Sequence, residues 1–372
     1  MAPSTSTAFR RVNRRRPCLI CGKPDWCSYT NDECLSICMR VSEGARKINR
    51  QGGAIFVHDD GEGRGSATLR IQQNFADDVP QSSLAPIDLR DRVYSTLIRL
   101  SPATDYFEWL IAGEKGLLAR GFKAEHFDNY SGLPASIEER DRLVRLLAKA
   151  GKGWLHQPDL LQGVPGFWKD ASGIHLWKPM NYRAPRLLIP VRDEYGRIQA
   201  CQMRSPAAKK KGMRYCWLSS SGLPFGAGSG SPLHFTFRQS ALTEGETIVI
   251  VEGSLKADAL FAMRPDLHIV ATAGVSANHE ALIELARGRR VLIAFDQDFH
   301  SNAAVCSRLA SLIAERWLSE RTLASTRVAV WDRREKGIDD AVLRKLPITS
   351  ISVQCWFLQL SPHLQQKISR EL

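Results

Sequence analysis

The hydrophobic pattern is most regular between residues 246 and 331, where short apolar runs alternate with segments of helical period. The apolar runs predict buried strands at Thr247–Val251, Leu267–Thr272, Val291–Phe295 and Arg327–Trp331. The intervening segments predict helices at Leu255–Met263, Asn278–Arg287 and Ala303–Leu318. Strands and helices that alternate at this spacing form βαβ units with right-handed crossovers. The sequence therefore predicts an α/β fold with a Rossmann-like parallel sheet flanked by helices.

The pattern upstream of this region is different. Residues 87–150 carry apolar positions at helical spacing, such as Val93, Leu97 and Leu100, and predict a helical region. Two apolar runs, Arg186–Arg192 and Ile198–Arg204, are separated by a short polar segment that contains glycine. This arrangement is typical of a β-hairpin.

Cysteines are concentrated near the N-terminus, where five of the nine lie between Cys18 and Cys38. The Cys18–Gly22 segment is a Cys-x-x-Cys-Gly turn, which lets two thiolates face one ion. Because no export signal precedes it, a zinc site is favoured over disulfides, and buried reduced thiols are the alternative. Two ligand sets are possible: Cys18, Cys21, Cys27 and Cys38, in which the last two bracket a predicted hairpin, or a set whose second pair is Cys34 and Cys38.

These patterns divide the chain into consecutive segments. We predict a basic arm with a zinc-binding module at 1–58, a linker at 59–86, a helical region at 87–150, a hairpin-containing subdomain at 151–240, the α/β domain at 241–343 and a C-terminal tail at 344–372.

Composition narrows the class of protein. The chain has 372 residues, of which 44% are hydrophobic and 24% charged, so wholesale disorder is excluded. No run reaches the about 18 apolar residues that cross a bilayer, and the polar N-terminus does not resemble a secretory signal. We therefore expect a cytoplasmic protein without a membrane partner.

The charge is basic and uneven. The formal net charge is +12, and residues 1–50 carry ten Lys and Arg against four Asp and Glu. Part of this excess is the run Arg14, Arg15 and Arg16, which predicts contacts with nucleic acid; a solvated flexible tail is the alternative.

Acidic residues follow three of the predicted strands. Glu252 follows the first strand, Asp296 and Asp298 follow the third, and Asp339 and Asp340 come shortly after the fourth. Because the carboxyl ends of parallel strands meet at one edge of the sheet, these acids are expected to lie close together. Carboxylate oxygens suit Mg²⁺ or Mn²⁺, so we predict a metal site, with helix capping as the alternative role.

Three segments resemble the Toprim domain, which is shared by bacterial-type primases, topoisomerases and some nucleases: Val251-Glu252-Gly253, Ala273-Gly274-Val275 and Asp296-Gln297-Asp298. The resemblance implies that Glu252 acts in acid/base chemistry or binds metal, and that Asp296 and Asp298 hold Mg²⁺ or Mn²⁺. Asp340 is a candidate further ligand, with Asp339 as the alternative.

Glu252–Asp258 and Lys336–Asp340 are similar to primase-related Toprim proteins of phages, plasmids and other mobile elements, a family long labelled a domain of unknown function. With the N-terminal cysteine module and the hairpin, this resemblance covers about residues 17–343. Two features depart from primases: Ser254-Leu255-Lys256 replaces an aromatic and an acidic residue, and the cysteine module lacks a Cys-His-Cys-Cys pattern.

The resemblance implies a nucleotidyltransferase that synthesises primers on single-stranded DNA from nucleotides, with Mg²⁺ or Mn²⁺ and Zn²⁺ as cofactors. Arg204, Lys256 and Lys336 are candidates for phosphate contacts, and surface ion pairing is the alternative. Because the sequence has no helicase-type phosphate loop, a separate replicative helicase is an expected partner. A Toprim nuclease and a non-catalytic DNA-binding protein remain as alternatives, and the choice between NTPs and dNTPs stays open.

Overall fold

The computed structural model describes residues 9–371 except 14, 31–34, 42–44, 46, 49–52, 58–79, 152–160, 208–213, 238–244, 274–277 and 301. The predictions for Arg14, Cys34, Gly274 and most of the 59–86 linker lie outside the described residues. The chain forms two compact units: one comprises 1–85, 157–178 and 219–228, and the other comprises 86–156, 179–218 and 229–372.

The strands and helices have the following bounds. The strands are β1 Phe9–Arg11, β2 Ser28–Thr30, β3 Leu35–Cys38, β4 Lys47–Ile48, β5 Ala54–Val57, β6 Ser131–Leu133, β7 Phe167–Asp170, β8 Gly173–Leu176, β9 Arg186–Arg192, β10 Ile198–Arg204, β11 Tyr215–Trp217, β12 His234–Phe235, β13 Thr247–Glu252, β14 His268–Thr272, β15 Arg290–Ile293, β16 Thr326–Val330 and β17 Thr349–Ser352. The helices are α1 Ile87–Leu100, α2 Ile137–Ala150, α3 Ser254–Met263, α4 His279–Ala286, α5 Ala303–Glu320, α6 Ile338–Leu343, α7 Val353–Leu358 and α8 Pro362–Glu371. Short helical turns lie at Ala103–Tyr106, Phe107–Ile111, Leu118–Arg120, Ala124–Asn129 and Gln297–His300.

The first unit contains a small antiparallel sheet with the strand order β1-β2-β3-β5-β4. Strands β2 and β3 form the hairpin that was predicted between Cys27 and Cys38, with Ser28 opposite Ile37. The buried centre of this module contains Val12, Phe56 and three cysteines rather than a large set of aliphatic side chains. The β7–β8 hairpin also belongs to this unit.

The predicted Arg186–Arg204 hairpin is present in the second unit as β9 and β10, and β6 and β11 extend it to the order β11-β10-β9-β6. Helix α1 packs against this sheet, and Val93 and Leu97 of its apolar stripe are fully buried. Arg90 of α1 donates a hydrogen bond to the carbonyl of Gln199.

The second unit also contains a six-stranded sheet with the order β12-β14-β13-β15-β16-β17. Its four central strands are parallel, and each predicted strand and helix lies within two residues of its predicted bounds. Alternate residues of β13 point to opposite faces: Ile248 and Ile250 pack towards α4 and α5, whereas Val249 and Val251 pack towards α3 and α6. The predicted α/β fold, with a parallel sheet between helices, is thus confirmed.

The edges of the six-stranded sheet differ from the sequence prediction. Strands β12 and β17 pair antiparallel to β14 and β16, so the sheet is mixed. Strand β17 and helices α7 and α8 belong to the segment for which the sequence predicts only a tail. Trp356 and Leu364 of this segment are buried in the same apolar cluster as Ile248. Short segments such as these carry too few periodic positions to be distinguished from coil by sequence pattern.

Among the described residues, no helix combines the length and the apolar character needed to cross a membrane.

Candidate functional site

Glu252 and Asp296 meet at the carboxyl edge of the parallel sheet. Strand β13 ends at Glu252, and its neighbour β15 ends just before Asp296. The backbone N–H of Asp296 lies 3.4 Å from Oε1 of Glu252. Asp298 follows in the helical turn Gln297–His300. Glu252 therefore lies at the end of one strand, and Asp296 and Asp298 follow the end of the neighbouring strand, as the sequence predicts.

The loop after β16 is attached to this edge through its backbone. The N–H of Gln297 donates a hydrogen bond of 2.9 Å to the carbonyl oxygen of Lys336. The Gln297 side chain also donates to the carbonyl of Ala329, at 3.3 Å. These contacts hold Lys336–Asp340 beside Asp296 and Asp298.

Two lysines contact the acids directly. The Lys256 ammonium, in the first turn of α3, contacts Oδ1 of Asp296. Lys336 lies 3.1 Å from the other oxygen, Oδ2, of Asp296 and also contacts Asp298. The sequence makes both lysines candidates for phosphate contacts, with ion pairing as the alternative; in this structure their ammonium groups pair with carboxylates.

Asp339 is the most buried acid of this region, with 3% of its side chain exposed. Its Oδ2 accepts a hydrogen bond of 3.0 Å from Arg120. Burial raises the pKa of Asp339, and the charges of Lys256 and Arg120 oppose that rise. Burial also lowers the pKa of Lys256, whereas Asp339 and Glu252 oppose that fall.

Gly337 lies where neighbouring side chains approach the backbone too closely to leave room for a Cβ. A Cβ at this position would overlap Oδ1 of Asp339 and would lie 3.3 Å from Oδ2 of Asp340 and from Cε of Lys256. The absence of a side chain therefore lets the two aspartates and Lys256 converge. Asp340, the candidate further ligand, is half-buried next to this glycine.

A second network near α3 was not identified from the sequence. Asp258 accepts a hydrogen bond from the Tyr130 hydroxyl at 2.9 Å and pairs with Nε2 of His234 at 2.9 Å. The backbone N–H of Arg192 donates to Nδ1 of His234 at 3.0 Å, so Nε2 carries the proton of the neutral ring. The network ties α3 to β9 and β12, and its members are far apart in sequence, so no local motif indicates it.

The arginines predicted to bind nucleic acid have different environments. Arg15 and Arg16 are exposed, and the Arg16 guanidinium lies 4.5 Å from the centre of the Tyr29 ring. Arg204 is 5% exposed, donates to the carbonyl of Lys115 and lies 5.9 Å from the Tyr215 ring. Burial lowers the pKa of Arg204 to about 10.

The first unit brings four of the predicted cysteines together. Single Sγ atoms of Cys18, Cys21, Cys27 and Cys38 all lie within 4.8 Å of one another, the only such group of His, Cys, Asp or Glu side chains found among the described residues. The Cys21–Cys27 and Cys27–Cys38 sulfur distances are 3.7 and 3.9 Å. Tetrahedral zinc with bonds of about 2.3 Å would separate its sulfurs by about 3.8 Å, so the cysteines fit a zinc ion.

The backbone and one arginine support this cysteine cluster. The N–H groups of Met39 and Val41 point at the sulfurs of Cys27 and Cys38, at 3.4 and 3.3 Å. Arg40 lies 3.9 Å from the Cys27 sulfur and forms a 2.6 Å ion pair with Asp25. Burial raises the pKa of the Cys27 and Cys38 thiols, so their thiolate forms need a cation nearby.

The edge of the sheet that carries Glu252, Asp296 and Asp298 is called the acidic edge below. Its donor atoms suit a hard cation. Glu252, Asp296 and Asp298 offer carboxylate oxygens, which Mg²⁺ and Mn²⁺ prefer. In the described structure these carboxylates lie around the ammonium groups of Lys256 and Lys336. Unlike the four cysteine sulfurs, their oxygens do not all lie within 4.8 Å of one another. A metal ion would therefore have to replace an ion pair with lysine.

A family model matches part of the chain, and solved structures resemble its fold. A family model described as a domain of unknown function, DUF3854, matches residues 237–347. No curated protein matches the sequence. A DNA primase domain from Pseudomonas aeruginosa superimposes with a TM-score of 0.50 at 16% identity, covering 73% of this chain and 82% of that chain.

Two further solved structures are similar. The zinc-binding and RNA polymerase domains of the Aquifex aeolicus primase have a TM-score of 0.45 and 18% identity, covering 75% of this chain and 66% of that chain. A DnaG primase catalytic domain bound to single-stranded DNA has a TM-score of 0.48 and 16% identity, covering 76% of this chain and 90% of that chain. The Pseudomonas domain shows that the chain shares the fold of a DNA primase domain.

Proposed function

We propose that this protein is a primase-like nucleotidyltransferase of the Toprim class, which synthesises primers on single-stranded DNA for a mobile element. The observation that carries the proposal is the position of Glu252, Asp296 and Asp298 at the carboxyl ends of two adjacent parallel strands, where the backbone of Asp296 contacts Glu252. The fold shared with a DNA primase domain supports the same assignment.

The acids and the lysines have complementary roles in this proposal. Glu252, Asp296 and Asp298 would hold Mg²⁺ or Mn²⁺, which when bound neutralises phosphate charge and activates a hydroxyl group. Asp340, whose carboxylate lies close to Gly337, would be a further ligand. Lys256 and Lys336 supply positive charge at the same edge, where the triphosphate of an incoming nucleotide would lie.

The cysteine module would bind the template strand. We infer that Cys18, Cys21, Cys27 and Cys38 hold a structural Zn²⁺, which fixes the segment between β1 and β2 that carries the exposed Arg15 and Arg16. These arginines would contact backbone phosphates, so binding would weaken as salt increases. We propose that strand separation is supplied by a helicase on another chain.

Primer synthesis on single-stranded DNA tests the proposal. Purified protein is given labelled NTPs or dNTPs with Mg²⁺ or Mn²⁺, and Asp296→Asn is compared with Asp266→Asn. Asp266 is an exposed acid that pairs with Arg264, so it serves as a matched control. We expect short products from the wild type and from Asp266→Asn, and a loss of at least about a hundredfold in Asp296→Asn.

Other outcomes of these assays would support a different function. Metal-dependent DNA cleavage without nucleotides, lost in Asp296→Asn, would replace the primase by a nuclease that uses the same acids. DNA binding without either reaction, in the presence of a replicative helicase as well, would leave a binding protein that retains the fold.

A further inference from the structure

The acidic edge carries two lysines that differ in exposure and attachment. We propose that Lys336 is a displaceable internal counter-cation: a divalent ion enters the site by displacing its ammonium group from Asp296 and Asp298, whereas Lys256 stays in place. The inference rests on the proposed function, because it concerns how the same site acquires its metal.

The two ammonium groups contact different oxygens of the Asp296 carboxylate. Lys256 contacts Oδ1, and Lys336 lies 3.1 Å from Oδ2. Lys336 also contacts Oδ2 of Asp298, so it bridges two of the three acids that would hold the ion. An ion bound by Asp296 and Asp298 together would therefore compete with Lys336 for the same oxygens.

The exposed fraction of each lysine side chain determines which ammonium group a metal ion displaces. The Lys256 side chain is 14% exposed and has the charges of Glu252 and Asp339 nearby, so its removal would leave buried carboxylates without a cation. The Lys336 side chain is 44% exposed and can move into solvent. Its ion pairs with Asp296 and Asp298 are open to solvent on the lysine side, so they exchange more readily than the buried contact of Lys256.

The charge balance still favours a divalent cation. Five carboxylates, those of Glu252, Asp296, Asp298, Asp339 and Asp340, converge with three cationic groups, those of Lys256, Lys336 and Arg120. The formal balance is two negative charges, so the lysines weaken the attraction for a cation without abolishing it.

Only the side chain of Lys336 has to move. Its carbonyl is held by the N–H of Gln297, and the next residue, Gly337, lies against Asp339 and Lys256. A displaced ammonium group would therefore remain tethered at the edge of the site, within reach of the phosphates of a bound nucleotide. Metal entry would in this way convert Lys336 from a carboxylate partner into a phosphate partner.

Binding of Mn²⁺ to the zinc-loaded full-length protein tests this proposal without any measurement of activity. Free Mn²⁺ is followed by electron paramagnetic resonance for the wild type, Lys336→Gln, Lys336→Arg and Lys149→Gln. Lys149 is an exposed lysine in the last turn of α2 and is the matched control. We expect Lys336→Gln to bind Mn²⁺ more tightly, on the order of tenfold, because a competing charge is removed. Lys336→Arg and Lys149→Gln should stay near the wild-type affinity.

Several results would overturn the inference. Equal or weaker Mn²⁺ binding by folded Lys336→Gln would show that the ammonium group does not compete, and unchanged binding by Asp296→Asn would place the ion elsewhere. Primer synthesis is scored separately: tighter binding by Lys336→Gln without primers from the wild type would leave the inference standing and the proposed function refuted. Primers from the wild type with unchanged Mn²⁺ affinity in Lys336→Gln would do the reverse.

Discussion

At the scale of single residues, the acidic edge depends on side chains that approach one another unusually closely. Gly337 illustrates this, because side-chain atoms of Asp339, Asp340 and Lys256 lie around the position that a Cβ would occupy. The backbone of Gly337 has a φ of −96°, which other residues adopt easily, so crowding rather than conformation requires the glycine.

We predict that Gly337→Ala displaces the Asp339 carboxylate from its pair with Arg120. The variant should lose about 1–3 kcal/mol of unfolding free energy, as overpacked sites do, and should bind Mn²⁺ more weakly. Gly228→Ala is the matched control, since its added Cβ would meet no atom closer than Ser221 Cβ at 3.9 Å. Denaturant unfolding of both variants measures the effect, and equal stability would refute the crowding argument.

Tyr130 offers a second prediction at this scale. Tyr130→Phe removes the hydrogen bond to Asp258 while His234 keeps its own, so one carboxylate oxygen loses its donor. The expected loss is about 1.5–3 kcal/mol of unfolding free energy, typical of a hydrogen bond to a charged group. Tyr195→Phe, at a tyrosine that is 61% exposed, should have little effect. A thermal or denaturant scan in which the two variants behave alike would contradict this role.

At the scale of helices and strands, the predictable elements are those with a long regular pattern. Strands β13 to β16 are continuous apolar runs, and the helices between them have clear ends, so their bounds follow from the sequence. Strand β12 has two residues and β17 has four, too few to show a period. Each pairs with an outer strand of the parallel part of the sheet, β14 or β16, whose outer side no parallel strand covers.

Helix α7 provides the prediction at the element scale. Trp356 is 2% exposed and meets the Phe299 ring edge-on at 6.1 Å, whereas Leu358 on the same helix is 66% exposed. Trp356→Ala should therefore cost about 3–5 kcal/mol of unfolding free energy, and Leu358→Ala should cost less than about 0.5 kcal/mol. Chemical denaturation of the two variants checks this, and similar midpoints would show that the C-terminal helices do not stabilise the sheet.

At the scale of the whole molecule, the two units differ in the size of their buried apolar clusters. The second unit has extensive apolar clusters on both faces of its parallel sheet. The cysteine module has short strands and a small buried centre, and such modules depend on a metal for most of their folding free energy.

We therefore predict that zinc removal unfolds one region only. A zinc chelator should abolish hydrogen-exchange protection at 9–57, while strands β13 to β16 keep theirs. Cys38→Ser should reproduce the chelated state, and Cys216→Ser, at an exposed cysteine, should not. Protection at 9–57 that survives chelation would mean that the buried thiols, rather than an ion, hold the module together.

The sequence determined the local features of the protein by itself. Apolar periods are set by neighbouring residues, so they predicted the alternating strands and helices and placed Glu252, Asp296 and Asp298 at strand ends. The spacing of Cys18, Cys21, Cys27 and Cys38 predicted a metal site for the same reason.

Only the tertiary structure decided which distant residues share a charge environment. Arg120 meets Asp339 across 219 positions, and Lys256 meets Asp296 across 40, contacts that no local pattern encodes. The sequence could nominate the two lysines as phosphate ligands, but packing of α3 and of the loop after β16 against the sheet edge paired them with carboxylates. Side-chain pairing depends on through-space distance, and that distance is fixed only when the strands and helices have packed.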